Sequence, residues 1–252
     1  EARAAAAALA PDILVSFAYG RIFGPKFLSL FPLGGLNVHP SLLPRHRGSS
    51  PIQHAILERD AETGICVQAL ALEMDCGDIF ACERIGLSGR ESASSLSAWA
   101  AERGALLIER VLEDMEAGRA RGVPQVGEPS YCGKIGKEDG LLDWSRSAEE
   151  LDARIRAFDL WPLAYGYLGG TRLNILEAEP SPARAALPRA LPGTILGIDP
   201  AKGILVQTGD GELALRRLQL AGRKALSFRE FANGARNLTG SVIENRGPRL
   251  EN

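Results

Sequence analysis

Short apolar runs set between helix-forming segments constrain this chain more than any other feature. An alanine-rich opening runs into Pro11-Asp12 and then Ile13-Leu14-Val15-Ser16-Phe17. A helix-like piece from Pro25 to Phe31 leads through Pro32-Leu33-Gly34-Gly35 into Leu36-Asn37-Val38-His39. Runs this short, bracketed by turn residues and following helices, read as buried strands, and the alternation predicts an α/β fold with an open, mostly parallel sheet. Ser50-Pro51 signals a helix start with Ser at the N-cap and Pro at the first position, so a helix is expected over Pro51–Arg59. Thr63-Gly64 opens a strand expected to run through Glu73, and a long helix is expected over Ser95–Glu116.

At 252 residues the chain exceeds the usual single domain, and 45% hydrophobic residues can bury a substantial core. Gly118 to Pro129 has the composition of a linker. Beyond it Ala148 to Phe158 is an amphipathic helix with Leu151, Ile155 and Phe158 on one stripe. Short strands follow at Tyr165–Leu168, Thr171–Ala178, Thr194–Ile198, Ile204–Gln207 and Glu212–Leu218, two of them separated by Gly209-Asp210-Gly211. Asp-Gly between alternating runs is a hairpin signal, and the set predicts a small antiparallel, OB-like barrel. The expected organisation is a first domain over 1–117, a linker over 118–130 and a second domain over 131–252.

Cys66, Cys76, Cys82 and Cys132 form no Cys-x-x-Cys pair and no zinc spacing, so reduced thiols in a cytoplasmic protein are expected, with no metal. No stretch approaches the ~20 apolar residues of a membrane span. Glu1-Ala2-Arg3 and the alanines after it read as the middle of a helix, so an earlier natural start is expected. Net charge is −2 overall. Residues 1–116 hold 10 Lys and Arg against 15 Asp and Glu, and residues 117–252 hold 19 against 16. The second half could face an anion such as nucleic acid, although a surplus of this size is also ordinary surface charge.

In an open parallel sheet ligands bind beyond the carboxyl ends of the strands. One strand end carries Asn37 and His39, whose spacing puts both side chains on the same face. Another delivers Asp75. An amide, an imidazole and a carboxylate in one cleft suit acyl transfer to an amine: donors for a developing oxyanion, and groups that can move protons. Spacing alone leaves the alternatives open, since a strand His, a turn Asn and a loop Asp are often structural.

Asn37-Val38-His39-Pro40-Ser41-Leu42-Leu43-Pro44-Arg45 is very similar to the signature of the 10-formyltetrahydrofolate-dependent formyltransferases, and Met74-Asp75-Cys76-Gly77-Asp78 resembles their Asp-x-Gly segment. That resemblance implies a Rossmann-like formyltransferase fold followed by an OB-like barrel. It also implies Asn37, His39 and Asp75 as the catalytic trio, and Ser41, Leu42, Leu43 and Pro44 as contacts of the folate co-substrate. Arg47-Gly48-Ser49-Ser50-Pro51-Ile52-Gln53 looks like the methionyl-tRNA branch of the family. Lys134 to Gly140, Asp143-Trp144, Trp161-Pro162, Pro192-Gly193-Thr194 and Ala221-Gly222-Arg223-Lys224 continue the similarity. The implied activity is formyl transfer from 10-formyltetrahydrofolate to the amino group of methionyl-initiator tRNA, by a protein expected to be a monomer. The family's opening strand, helix and basic loop precede the residues matched here.

Three rivals remain at this point: formylation of an amino sugar, hydrolysis of formyl-folate, and an inactive tRNA-binding module. Arg45 and Arg47 could hold a folate tail or a phosphate, and Arg216-Arg217 and Arg223-Lys224 could meet tRNA backbone. Solvated arginines explain each of these equally well.

Overall fold

The computed structural model describes residues 2–21, 23–181 and 190–246. Helix α1 (Ala2–Ala8) leads to strand β1 (Leu14–Phe17), and the short helix α2 (Pro25–Leu28) connects it to β2 (Gly35–His39). β1 and β2 pair in parallel, with Leu14 beside Gly35 and Phe17 beside Val38. After β3 (Arg47–Gly48) and α3 (Pro51–Leu57), strand β4 (Glu62–Ala69) lies antiparallel to β2, and β5 (Ile79–Gly86) lies antiparallel to β4. The described sheet, ordered β1-β2-β4-β5, is therefore mixed where the sequence predicts mostly parallel pairing. Residues 70–78 contain no helix, and a connection that short turns the chain back rather than carrying it across the sheet.

The strand expected through Glu73 ends at Ala69. Leu70, Ala71 and Leu72 continue its alternation in sequence, but Ala69 N already donates to Asp78 O at 2.8 Å, so the chain has begun to double back. Gly77 permits that closure: a Cβ there would stand 1.9 Å from Ala69 O. Strand β5 was not evident from sequence, and its presence overturns the expectation for two cysteines. Cys66 and Cys82 are direct partners across β4 and β5 and are joined by a disulfide. Cys76 and Cys132 are free.

Helix α4 (Ala93–Glu116) covers one face of this sheet, burying Ala100, Leu107 and Val111 against Leu36, Val38, Ile65 and Val67. Gly104 lets it approach closely, since a Cβ there would lie 2.8 Å from Ile65. Strand β6 (Tyr131–Cys132) then pairs in parallel with β3. The stretch 118–130, linker-like in composition, is fastened along the way. Val123 exchanges both backbone hydrogen bonds with Ile79, at 2.8 and 2.9 Å, and Arg47 N donates to Ser130 O at 2.8 Å. Backbone contacts divide the chain into two compact units, one of residues 1–91 with 95–134 and the other of 92–94 with 135–252.

In the second unit α5 (Ala148–Ala157) starts at a capping box, in which Ser147 and Glu150 satisfy each other's backbone amides. Its stripe is buried, with Leu151, Ile155 and Phe158 all in the core. Strands β7 (Ala164–Leu168), β8 (Thr171–Ser181), β9 (Ile195–Asp199), β10 (Gly203–Gln207) and β11 (Glu212–Leu220) correspond to the runs read from sequence. Strand β12 (Leu226–Ser227), helix α6 (Phe228–Gly234) and strand β13 (Ile243–Glu244) complete the unit. The antiparallel order is β13-β7-β8-β11-β10-β9. The sheet curls until its edges meet, where Ile195 N donates to Ser241 O and Ile243 N to Gly193 O, each at 2.8 Å. Leu173, Ile175, Ile204, Val206, Leu213 and Leu215 fill its interior. Among the described residues no helix is long and apolar enough to cross a membrane.

The close approach at Gly77 makes a test of the β4–β5 turn. Gly77→Ala is expected to destabilise the first unit by about 1–3 kcal/mol, the usual range for overpacking against fixed atoms. Urea unfolding with hydrogen exchange read in β4 and β5 checks it, and an unchanged midpoint would show that the turn is free to shift.

Candidate active site

Strand geometry brings the first two groups together: Asn37 and His39 are two residues apart on β2 and share a face. The β2–β4 register adds Gln68, the direct partner of Asn37. Asp75 reaches the same spot from the 70–78 loop, with φ at +54°, a left-handed conformation unusual for a residue with a side chain. Asp75 Oδ1 accepts from Gln68 Nε2 at 2.8 Å and from Asn37 Nδ2 at 3.5 Å, while Oδ2 accepts from Gly48 N at 2.9 Å. His39 Nδ1 lies 3.5 Å from Asp75 Oδ1. Thus Asn37, His39 and Asp75 converge in space.

His39 is only 4% exposed, and its Nε2 lies 2.9 Å from His46 O. A carbonyl only accepts, so Nε2 carries the proton and Nδ1 is left bare toward Asp75. Burial pushes the imidazole pKa below its ordinary value, against the neighbouring Asp75 carboxylate, which raises it. The neutral ring offers Nδ1 as a proton acceptor. Once protonated, it becomes an Nδ1–H donor stabilised by the carboxylate beside it.

The three groups open onto a cleft of about 570 Å³. Its apolar wall includes Tyr19, Phe23, Leu70, Leu72 and Met74, and its polar end is formed by Asn37, His39, Gln68 and Asp75. The volume and mixed lining fit a planar, drug-sized ligand. Ser41, Leu42, Leu43 and Pro44, expected to contact folate, do not line the cleft, whereas Pro40 before them does. Ser41 is fully buried, its hydroxyl donating to Arg45 O at 2.6 Å, and Leu42 packs beside Gly64. Their side chains brace the loop that carries His46 O.

Arg45 binds the carboxylates of Glu58 and Asp60, and Asp60 also accepts from His46 Nε2 at 2.8 Å. Burial works to raise Asp60, but hydrogen bonds from Arg45 and His46 hold its pKa below the usual range. His46, Glu58 and Asp60 are close enough to share a cation. The Arg45 guanidinium already meets both carboxylates, so part of that charge is compensated within the protein. Arg216 and Arg217 pair with Glu179 and Glu177 on the neighbouring strand, which reduces the positive field they present.

Gln68 and Gln125 were missed from the sequence. Gln125 Nε2 donates to Asp75 O at 2.8 Å and to Gly77 O at 2.9 Å. Gln68 had a partial signal, a polar residue inside an otherwise apolar strand, but the pairing that sets it beside Asn37 came from the structure. Gln125 had none, since it lies in a loop whose path only the tertiary structure sets.

Sequence comparison decides the family. Residues 1–112 match the model described as formyl transferase, and residues 134–236 match the formyl transferase C-terminal domain. The chain is 47% identical over 229 residues to the methionyl-tRNA formyltransferase of Treponema pallidum (strain Nichols), covering 90% of this chain and 71% of that protein. The chain belongs to the methionyl-tRNA formyltransferase family. The Treponema denticola member is 44% identical, over 90% of this chain and 72% of its own length. HypX from Aquifex aeolicus, solved with tetrahydrofolic acid, shares the fold at a TM-score of 0.66 and 18% identity, over 95% of this chain and 44% of that one. WlaRD, a sugar 3N-formyl transferase, aligns at a TM-score of 0.62 and 14% identity, over 86% and 77%. The formyltransferase family uses formyl-tetrahydrofolate as its one-carbon donor.

The electrostatics of His39 carry a direct expectation. Asp75→Asn removes the charge that opposes burial, so His39 should titrate at lower pH than in the parent protein. Histidine Cε1–H chemical shifts against pH read this, and an unchanged or higher midpoint would break the coupling.

Proposed function

We propose that this protein transfers the formyl group of 10-formyltetrahydrofolate to the α-amino group of methionine esterified to initiator tRNA, with Asn37, His39 and Asp75 as the catalytic groups. The observation that carries this reading is the convergence of an amide, a buried neutral imidazole and a carboxylate at the polar end of one cleft. The pterin is assigned to the apolar wall near Leu70, Leu72 and Tyr19, rather than to the side chains of 41–44.

The methionyl ammonium loses a proton to Nδ1 of His39 beside Asp75, and the free amine attacks the formyl carbon. The carbonyl oxygen becomes an oxyanion, for which Asn37 Nδ2 and the protonated Nδ1 of His39 are the available donors. The new C–N bond leaves a proton on the attacking nitrogen. His39 Nδ1 then gives its proton to N10 of the folate as the C–N10 bond breaks and tetrahydrofolate leaves, and the proton left on the attacking nitrogen passes through the freed Nδ1 to solvent, completing the formamide. Each proton given up by the amine is accounted for at solvent or at N10.

The second unit is assigned to the tRNA backbone, with exposed Arg223 and Lys224 as candidate contacts. The protein is proposed to act as a cytoplasmic monomer.

In the complete protein, Asp75→Ala is expected to lower kcat for methionyl-tRNA formylation by about a hundredfold or more while circular dichroism and the thermal midpoint stay near the parent values. Offering labelled 10-formyltetrahydrofolate with methionyl-tRNA, an amino-sugar nucleotide or water alone separates the acceptors. Near-parent turnover in Asp75→Ala, or a preference for sugar or water, would remove the assignment.

A further inference from the structure

Gln125 lies between the two regions matched by the family models, in a stretch whose composition marks it only as loop. Its side chain does not line the cleft, yet it touches three parts of the machinery around Asp75. Gln125 Oε1 accepts from Arg47 Nε at 3.1 Å and Nη2 at 2.7 Å. A guanidinium has only donors, so the amide oxygen must face it and the amide nitrogen must face away. That nitrogen meets Asp75 O, Gly77 O and, at 3.3 Å, Gln68 Oε1. All three are acceptors, so the amide is oriented from both ends. Gln68 is oriented in turn: with its oxygen toward Gln125, its nitrogen is the end that reaches Asp75 Oδ1 at 2.8 Å.

The bonds therefore run in one sense from a cation to an anion, Arg47 to Gln125 to Gln68 to Asp75. Each bond in such a series polarises the next. The same nitrogen also holds two backbone carbonyls of the turn in which Asp75 adopts its left-handed φ. We infer that Gln125 is a positioning residue for formyl transfer, fixing the Asp75 turn and the Gln68 amide so that the carboxylate stands against His39. This role rests on the reading of Asp75 as a catalytic group.

Two substitutions in the complete protein test it. Gln125→Glu keeps the length and the Arg47 bonds but turns the donor into an acceptor facing three other acceptors. Gln125→Met keeps the bulk without either polar end. Both are expected to lower kcat for methionyl-tRNA formylation between about tenfold and about a hundredfold, the scale set by small misplacements of a reacting group. KM for 10-formyltetrahydrofolate should stay within about threefold, because Gln125 makes no contact in the cleft. A loss confined to kcat separates positioning of the reacting groups from a general loss of structure.

A kcat within about twofold of the parent in Gln125→Met, or a KM that rises as far as kcat falls, would overturn the role. Unfolding of both variants would make Gln125 a stability residue and overturn it too. Asp75→Ala, assayed alongside, tells two failures apart. If it stays active, the catalytic reading falls and the role of Gln125 with it; if it is dead while Gln125→Met is normal, only Gln125 is removed.

Discussion

The Asp75 carboxylate, held beyond the end of β4 by donors from three separate segments, is the interaction on which the cleft of the first unit and its proposed chemistry depend. The Asn37 and Gln68 side-chain amides and the backbone amide of Gly48 all aim at one acid side chain. A carboxylate surrounded by donors has a defined position, and its position decides what His39 can do. The turn that carries it would not close without Gly77 against Ala69, and it sits in a conformation that side chains seldom adopt. Local strain of that kind persists where surrounding bonds outweigh it, and the Gln125 amide supplies two of them.

His39 gains its character from the same construction. Its Nε2–H is engaged by a backbone carbonyl at His46, whose own side chain is tied to Asp60 and through it to Arg45. Burial keeps the ring neutral, and the carboxylate nearby makes protonation at Nδ1 accessible. A buried imidazole with one nitrogen fixed and the other facing an acid can alternate between base and donor within one catalytic cycle. Buried Ser41 ties back to the same loop, its hydroxyl donating to Arg45 O one residue before His46.

The second unit follows a different rule. Its stability comes from an antiparallel sheet curled around apolar side chains of alternating strand positions, with α5 capped and docked on it. Its five longer strands were evident one by one because alternation and turn residues are local signals, while the two-residue strands β12 and β13 were not. The closure between 193–195 and 240–243 was not, since it joins segments far apart in sequence.

The sequence by itself determined the alternation of helices and strands in the first half, the second unit's strands, and the polar trio Asn37, His39 and Asp75. The first two follow from periodicity and turn chemistry, whereas the trio was singled out by the resemblance of two separate motifs, since spacing alone left structural readings open. Only the tertiary structure decided the sheet's mixed pairing, the Cys66–Cys82 bond, and the placement of Gln68 and Gln125 around Asp75. Strand β5 went unread because its charged Glu83 and Arg84 blur the apolar pattern, and with it went the register that makes the two cysteines partners. Gln125 is a lone polar residue in a loop, and its role arises from where the chain path leaves it, fifty residues from the turn it holds. Local chemistry is written along the chain, whereas hydrogen bonds between distant segments exist only once packing has brought donor and acceptor within reach.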